Sequence, residues 1–123
     1  MKIKLVEKAN PTDRTKPAKW YANAVNVGKK DLKSIAKEIA GRSSLTRGDI
    51  ENVLSNFVDE LPALLKDGFS VHLGEFGTMR LSLSSKGADT ADKFDTNSIT
   101  TKVIFTPGVS LKKDLIDISF DKE

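Results

Sequence analysis

Apolar and polar positions change period several times along this chain, and the changes divide it into elements. Lys2 to Lys8 opens with Lys-Ile-Lys-Leu, so Ile3 and Leu5 share one face and Lys2 and Lys4 the other, which predicts a half-buried strand. Asn10 to Pro17 carries two prolines, Asp13 and threonines but no large apolar side chain, the composition of a loop. Strand formers return over Lys19 to Val27, where Trp20, Tyr21, Val25 and Val27 predict a second strand able to pair with the first. The period then lengthens. Asp31 is placed as an N-cap for a helix whose stripe is Leu32, Ile35, Ala36, Ile39 and Ala40, ending at Gly41. Thr46 with Asp49 resembles a capping box, and Ile50, Val53, Leu54, Phe57, Val58, Leu61, Leu64 and Leu65 mark a longer second helix. Pro62 lies inside it and predicts a kink or an early break.

Gly68 predicts a left-handed helix stop, after which Val71 and Leu73 alternate with Ser70 and His72 at strand period. Gly74 and Gly77 bracket Glu75 and Phe76 in a tight turn. Met79, Leu81 and Leu83 then alternate with Arg80, Ser82 and Ser84 in a return strand. A two-stranded ribbon is not stable by itself, so it must rest on the preceding helix. Ser84 to Ser98 reads as a loop or a short helical turn. Ile99, Val103, Ile104 and Phe105 form a strand closed by Pro107 and Gly108, and Ser110 caps a last helix bearing Leu111, Leu115 and Ile118.

Composition narrows the class. With 123 residues, 38% hydrophobic and 30% charged, the chain suits one soluble core supplemented by oligomerisation. No apolar run approaches the ~20 residues needed to span a bilayer. The lysine-rich start lacks the apolar stretch of a secretory signal, so the expected location is cytoplasmic. The absence of cysteine excludes disulfides and thiolate metal sites. Charge changes the picture more, because the net +3 is unevenly placed: residues 1–30 hold eight Lys or Arg against two acids, and the remainder is net acidic. An anionic partner, nucleic acid first, fits that asymmetry. Trp20 and Tyr21 lie among Lys16, Lys19, Lys29 and Lys30. They are taken first as anchors of the strands, with stacking on nucleic acid as the alternative.

Catalytic chemistry finds no footing in these residues. His72 is the single histidine, which argues against zinc, and Ser84 and Ser85 lack any G-x-S-x-G context. The glycines around Glu75-Phe76 precede a strand, not a helix, so they form no phosphate cradle. Asp89, Asp92 and Asp95 lack the glycine and terminal glutamate of a calcium loop and are taken as solvated. No cofactor and no small-molecule substrate is expected.

Order and motif together resemble the bacterial HU and integration host factor family of histone-like DNA-binding proteins, over roughly Leu32 to Phe120. Two signatures carry the resemblance. V-x-L-x-x-F-G-T is present as Val71, Leu73, Phe76, Gly77 and Thr78, and F-x-P-G-x-x-L-K as Phe105, Pro107, Gly108, Leu111 and Lys112. The first thirty residues resemble an extension found in a divergent HU-like subgroup. The resemblance implies an α+β fold with two N-terminal helices, a β-ribbon sheet and a short C-terminal helix, preceded by a hairpin-like extension over residues 1–30. It also implies an intertwined homodimer whose ribbon arms embrace double-stranded DNA in the nucleoid and bend it with little sequence reading. Carried over by position, Arg47 touches phosphate at a helix start, Arg80, Lys86, Lys93 and Lys102 line the arm, and Lys112 adds to the basic set.

The departures are specific. The family's arm tip carries a wedging proline, whereas the prolines here are Pro11, Pro17, Pro62 and Pro107. Residues 80–102 hold four basic and three acidic side chains, Thr106 and Val109 stand where lysines are common, and Glu75 replaces a glycine. These differences shift expected phosphate contact toward Lys16, Lys19, Lys29 and Lys30. A protein-interaction module that keeps the dimeric fold without DNA affinity is the alternative reading.

Overall fold

Three helices and six strands alternate in the order β1 (Lys2–Lys8), β2 (Lys19–Ala24), α1 (Leu32–Ala40), α2 (Arg47–Lys66), β3 (Val71–His72), β4 (Gly77–Ser84), β5 (Thr100–Pro107), α3 (Val109–Asp114) and β6 (Asp121–Lys122). A computed structural model describes residues 1–123. The chain forms two compact units, one of Met1–Lys30 with Leu115–Glu123 and one of Asp31–Asp114.

In the first unit β1 is the centre of a three-stranded sheet ordered β2-β1-β6. β1 and β2 pair antiparallel from Ile3 opposite Ala24 to Lys8 opposite Lys19. The predicted second strand therefore stops at Ala24, short of Val27. The loop between them is built from its own side chains: Asn10 accepts from the backbone N–H and hydroxyl of Thr12, and Asp13 does the same for Thr15. β6 adds to β1 in parallel, with Asp121 N–H donating to Met1 O at 3.0 Å and Glu123 N–H to Ile3 O at 2.9 Å. A two-residue strand has no alternation to betray it, and its partner lies more than a hundred residues away.

The last helix is accordingly shorter than its apolar spacing predicts. It ends at Asp114, leaving Leu115 and Ile118 outside it, and it begins at Val109 with Lys112 N–H bonded to Gly108 O at 3.0 Å, so Ser110 is inside it rather than capping it. Six residues are too few for a helix to persist on its own propensity.

The second unit is built on the α1–α2 pair. Asp31 accepts the Ser34 N–H at 2.9 Å while Ser34 Oγ accepts the Asp31 N–H at 2.9 Å, a complete capping box. The Ser34 backbone N–H, aided by its hydroxyl, holds the Asp31 carboxyl below its ordinary pKa of 3.8. α2 has half of such a box, Thr46 Oγ1 accepting from Asp49 N–H at 3.2 Å. The apolar stripes of the two helices meet, burying Ala36 and Ile50, and Leu65 is buried near the end of α2.

α2 runs unbroken through Pro62, contrary to the predicted break. A proline removes one donor from a ladder that the flanking turns continue, and Asp67 N–H already reaches Ala63 O again at 3.2 Å. The helix closes as predicted: Gly68 has φ +90°, Gly68 N–H donates to Leu65 O and Phe69 N–H to Leu64 O, the paired bonds of a Schellman stop.

Beyond it the second sheet is ordered β3-β4-β5, all antiparallel. The turn between β3 and β4 is a single 3-10 turn, Gly74–Phe76. Two more such turns, Ala91–Lys93 and Thr96–Ser98, occupy the segment between β4 and β5.

Candidate nucleic-acid interface

The two sequence signatures meet in one structural clasp. Gly77 lies opposite Pro107 in the β4–β5 ladder, Gly108 N–H donates to Phe76 O at 2.9 Å, and the Phe76 and Phe105 rings lie 5.1 Å apart. A Cβ built on Gly108 would strike the carbonyl of Glu75, with its oxygen and its carbon at 2.9 Å both too close. Glycine is required there by space. The clasp fixes the root of the ribbon and the start of α3, and so the direction in which β4 and β5 leave the body.

Register sorts the ribbon's side chains into two faces. Met79, Leu81 and Leu83 share one face with Phe105, Val103 and Thr101, while Arg80, Ser82 and Lys102 share the other with Thr78, Thr106 and one apolar residue, Ile104. Arg80 and Lys102 are thereby diagonal neighbours on a polar face. His72, opposite Thr78, bonds through Nδ1 to Thr78 Oγ1 at 3.0 Å and belongs to this polar face.

The N-terminal sheet is sorted more sharply. Lys2, Lys4, Val6 and Lys8 of β1 share a face with Lys19, Tyr21 and Asn23 of β2, whereas Ile3, Leu5 and Glu7 share the opposite face with Trp20, Ala22 and Ala24. One face is therefore mainly cationic around a single aromatic ring, with Asp121 of β6 beside Lys2, and the other mixes apolar side chains with Glu7 and Lys122. Lys8 Nζ stands 5.8 Å from the centroid of the Tyr21 ring. Neither aromatic serves as the buried anchor expected from sequence: Trp20 is 63% exposed and Tyr21 48%. A two-layer unit would have to cover the sheet to bury them, and this three-stranded sheet has no helix of its own.

The predicted basic residues fall into separate groups. Lys16, on the β1–β2 loop, and Lys19, on β2, line one cavity together with Lys8 and Tyr21. Lys29 and Lys30 lie on the segment leading to α1, and Arg47 is the first residue of α2, beside its N-cap. Arg80 and Lys102 face the same way on the ribbon, Lys86 and Lys93 lie on the segment beyond β4, and Lys112 is on α3. All ten are exposed. Lys8 escaped the sequence reading, although its spacing of two and of four from Val6 and Lys4 was the available signal. No group of three or more His, Asp or Glu side chains is arranged to hold a metal, and no helix is long and apolar enough to cross a membrane.

Comparison with known proteins places this architecture. A crystal structure from Bacteroides vulgatus ATCC 8482, provisionally described as a bacterial DNA binding protein, superposes with a TM-score of 0.63 at 15% identity over 98% of this chain. This chain spans 47% of that one. The HU of Anabaena, in a cocrystal with DNA, superposes with a TM-score of 0.57 at 16% identity, covering 72% of this chain and 100% of its own. No curated protein matches the sequence. A family profile described as "HU domain fused to wHTH, Ig, or Glycine-rich motif" matches residues 1–122. With the clasp, the ribbon and the N-terminal sheet all inside that match, the chain belongs to this family of HU domains.

Proposed function

We propose that this protein is a non-enzymatic architectural DNA-binding protein of the nucleoid, acting as a homodimer and holding double-stranded DNA mainly through backbone phosphates with little sequence specificity. The observation that carries the proposal is the mainly cationic face of the N-terminal sheet, where Lys4, Lys8 and Lys19 lie on one side of the β1–β2 pair, in a chain of HU architecture. Lysine is a point charge suited to phosphate and carries no base-reading geometry. Arg80 and Lys102 supply a smaller set on the ribbon, and Arg47 a cation close to a helix start, where backbone N–H groups favour phosphate. Lys86, Lys93 and Lys112 complete the set. Residues 1–30 act as a contacting extension and the HU-like remainder as the scaffold. With no proline between Pro62 and Pro107, the ribbon tip has no rigid apolar wedge to insert between base pairs.

Binding of a random-sequence duplex, followed by anisotropy across a salt series, tests this. Log affinity should fall linearly with log salt, with a slope set by about 0.9 per neutralised phosphate. Replacing Lys16, Lys19, Lys29 and Lys30 by Gln should lessen that slope by about 7 per dimer if each lysine of both copies makes one contact, and by more than the double change at Lys86 and Lys93. No binding at ~50 mM salt would sink the proposal. The weak charge of residues 80–102 favours one rival, a protein-binding module on the same fold. That reading requires a stable protein partner together with salt-independent indifference to DNA.

A further inference from the structure

The cavity beside the β1–β2 loop holds a group that duplex binding does not use, the ring of Tyr21. It is a half-open groove of about 380 Å³, within the size range of small-ligand sites, and is lined by Lys8, Lys16, Lys19 and Tyr21, with Pro11 and Pro17 on the loop side. No carboxylate lines it. Three cations and one aromatic ring share its lining, and the Lys8 ammonium stands 5.8 Å from the ring centroid.

We propose that this cavity binds an unpaired nucleotide of single-stranded nucleic acid, with the base stacked on Tyr21 and the flanking phosphates on Lys8, Lys16 and Lys19. In a duplex the base faces are covered by their neighbours and only base edges and the sugar-phosphate backbone reach a protein surface, so Tyr21 has no face to stack on. A single strand offers both groups at once, a π-face for the ring and an anionic backbone for the lysines. The stacking platform is half-exposed and stands on a paired strand, so it is held in position before the ligand arrives. Trp20, the neighbouring aromatic, points to the other face of the sheet and takes no part. The site shares Lys8, Lys16 and Lys19 with the proposed duplex contact, so Tyr21 and the single-stranded probe are what separate the two readings.

The test uses the full chain and two labelled probes, an oligothymidylate of about 12 nucleotides, inside the usual single-strand site size, and a hairpin duplex of random sequence. Tyr21→Ala should weaken oligothymidylate binding about tenfold and duplex binding less than about twofold, while Tyr21→Phe and Trp20→Ala stay within about twofold of the parent on both probes. Replacing Lys8, Lys16 and Lys19 by Gln should lower the single-strand salt slope by about 2, at about 0.7 per contact. Circular dichroism of each variant separates lost binding from lost folding, and Tyr21→Leu, which keeps apolar bulk on the strand but removes the π-face, decides the matter by the same loss of oligothymidylate binding if Tyr21→Ala does not fold. Failure of the parent to bind oligothymidylate overturns the proposal. So does a Tyr21→Ala variant that folds and binds both probes as before, or loses both equally. Loss of duplex binding alone, with oligothymidylate retained, would overturn the duplex reading and leave this one standing.

Discussion

Single side chains at this fold's joints have defined consequences. Gly108 is the tightest: any Cβ there meets the Glu75 carbonyl, and the bond from Gly108 N–H to Phe76 O at 2.9 Å fixes the approach. Gly108→Ala should destabilise the protein by about 1–3 kcal/mol through overpacking, read as a lower denaturant midpoint at unchanged slope. An unchanged midpoint would mean that the clasp is not formed in solution. Asp31 makes a pH-dependent contribution whose sign is set by its depressed pKa. The folded state holds its ionised carboxylate better than the unfolded chain does, so the stability it contributes is fully present above about 4, the ordinary carboxylate value, and is lost as pH falls through the lower folded value. Asn caps a helix nearly as well without titrating. Asp31→Asn should therefore flatten the acid side of the stability profile relative to the parent, and a profile of unchanged steepness would show that other carboxylates dominate it.

Among the elements, α2 allows two opposite predictions. Thr46→Ala removes the acceptor for Asp49 N–H and should cost about 1 kcal/mol. Pro62→Ala restores a donor within an unbroken and exposed stretch of helix, recovering up to ~3 kcal/mol of helix penalty, less up to ~1 kcal/mol from a freer unfolded chain. A net gain of about 2 kcal/mol in denaturant melts is expected, and no gain would indicate that the helix is interrupted at Pro62 in solution. These helices were legible in sequence because their caps and stripes are local: Asp31, Thr46 and Gly68 each do what their residue type favours. β1 was legible from alternation and β2 from its strand-forming residues. β6 was not, since Asp121 and Lys122 become a strand only by lying against Met1 to Ile3. The same reach across the sequence shortened α3, because Leu115 to Glu123 belong with the N-terminal unit. Of the candidate site, the concentration of lysines in residues 1–30 could be counted directly. That Lys8 shares a face with Lys19 and Tyr21 could not, because a one-residue slip in pairing would send Lys8 to the opposite side.

At the scale of the whole molecule, burial is the feature that a single copy leaves unexplained. Only Ala36, Ile50 and Leu65 are buried apolar residues, and Val53, Phe57, Phe69, Val103 and Phe105 of the Asp31–Asp114 unit all remain exposed. The chain exposes 10,517 Å². Two separate compact bodies of the sizes of its two units would together expose about 7,800 Å² by the scaling of folded monomers. The difference, on the order of 2,700 Å² per copy, is what an intertwined obligate dimer of the larger class can cover. A core completed by a second copy accounts for an apolar helix side and an apolar ribbon face in the same unit, since each lacks a second layer within the chain. Light scattering in line with gel filtration should then give about twice the 13.5 kDa chain mass, and the thermal midpoint should rise with protein concentration, as it does when folding and association are coupled. Val53 and Phe57 are one helical turn apart on α2, so charge introduced there tests the surface directly. In a true monomer, Val53→Asp with Phe57→Asp places two carboxylates in water and changes little. In the dimer it buries unpaired charge at the centre of the association surface, dissociating the protein and abolishing its concentration-dependent midpoint. A monodisperse monomer for the parent chain, or a double variant that still elutes at twice the chain mass, would rule out this surface as the one that completes the core.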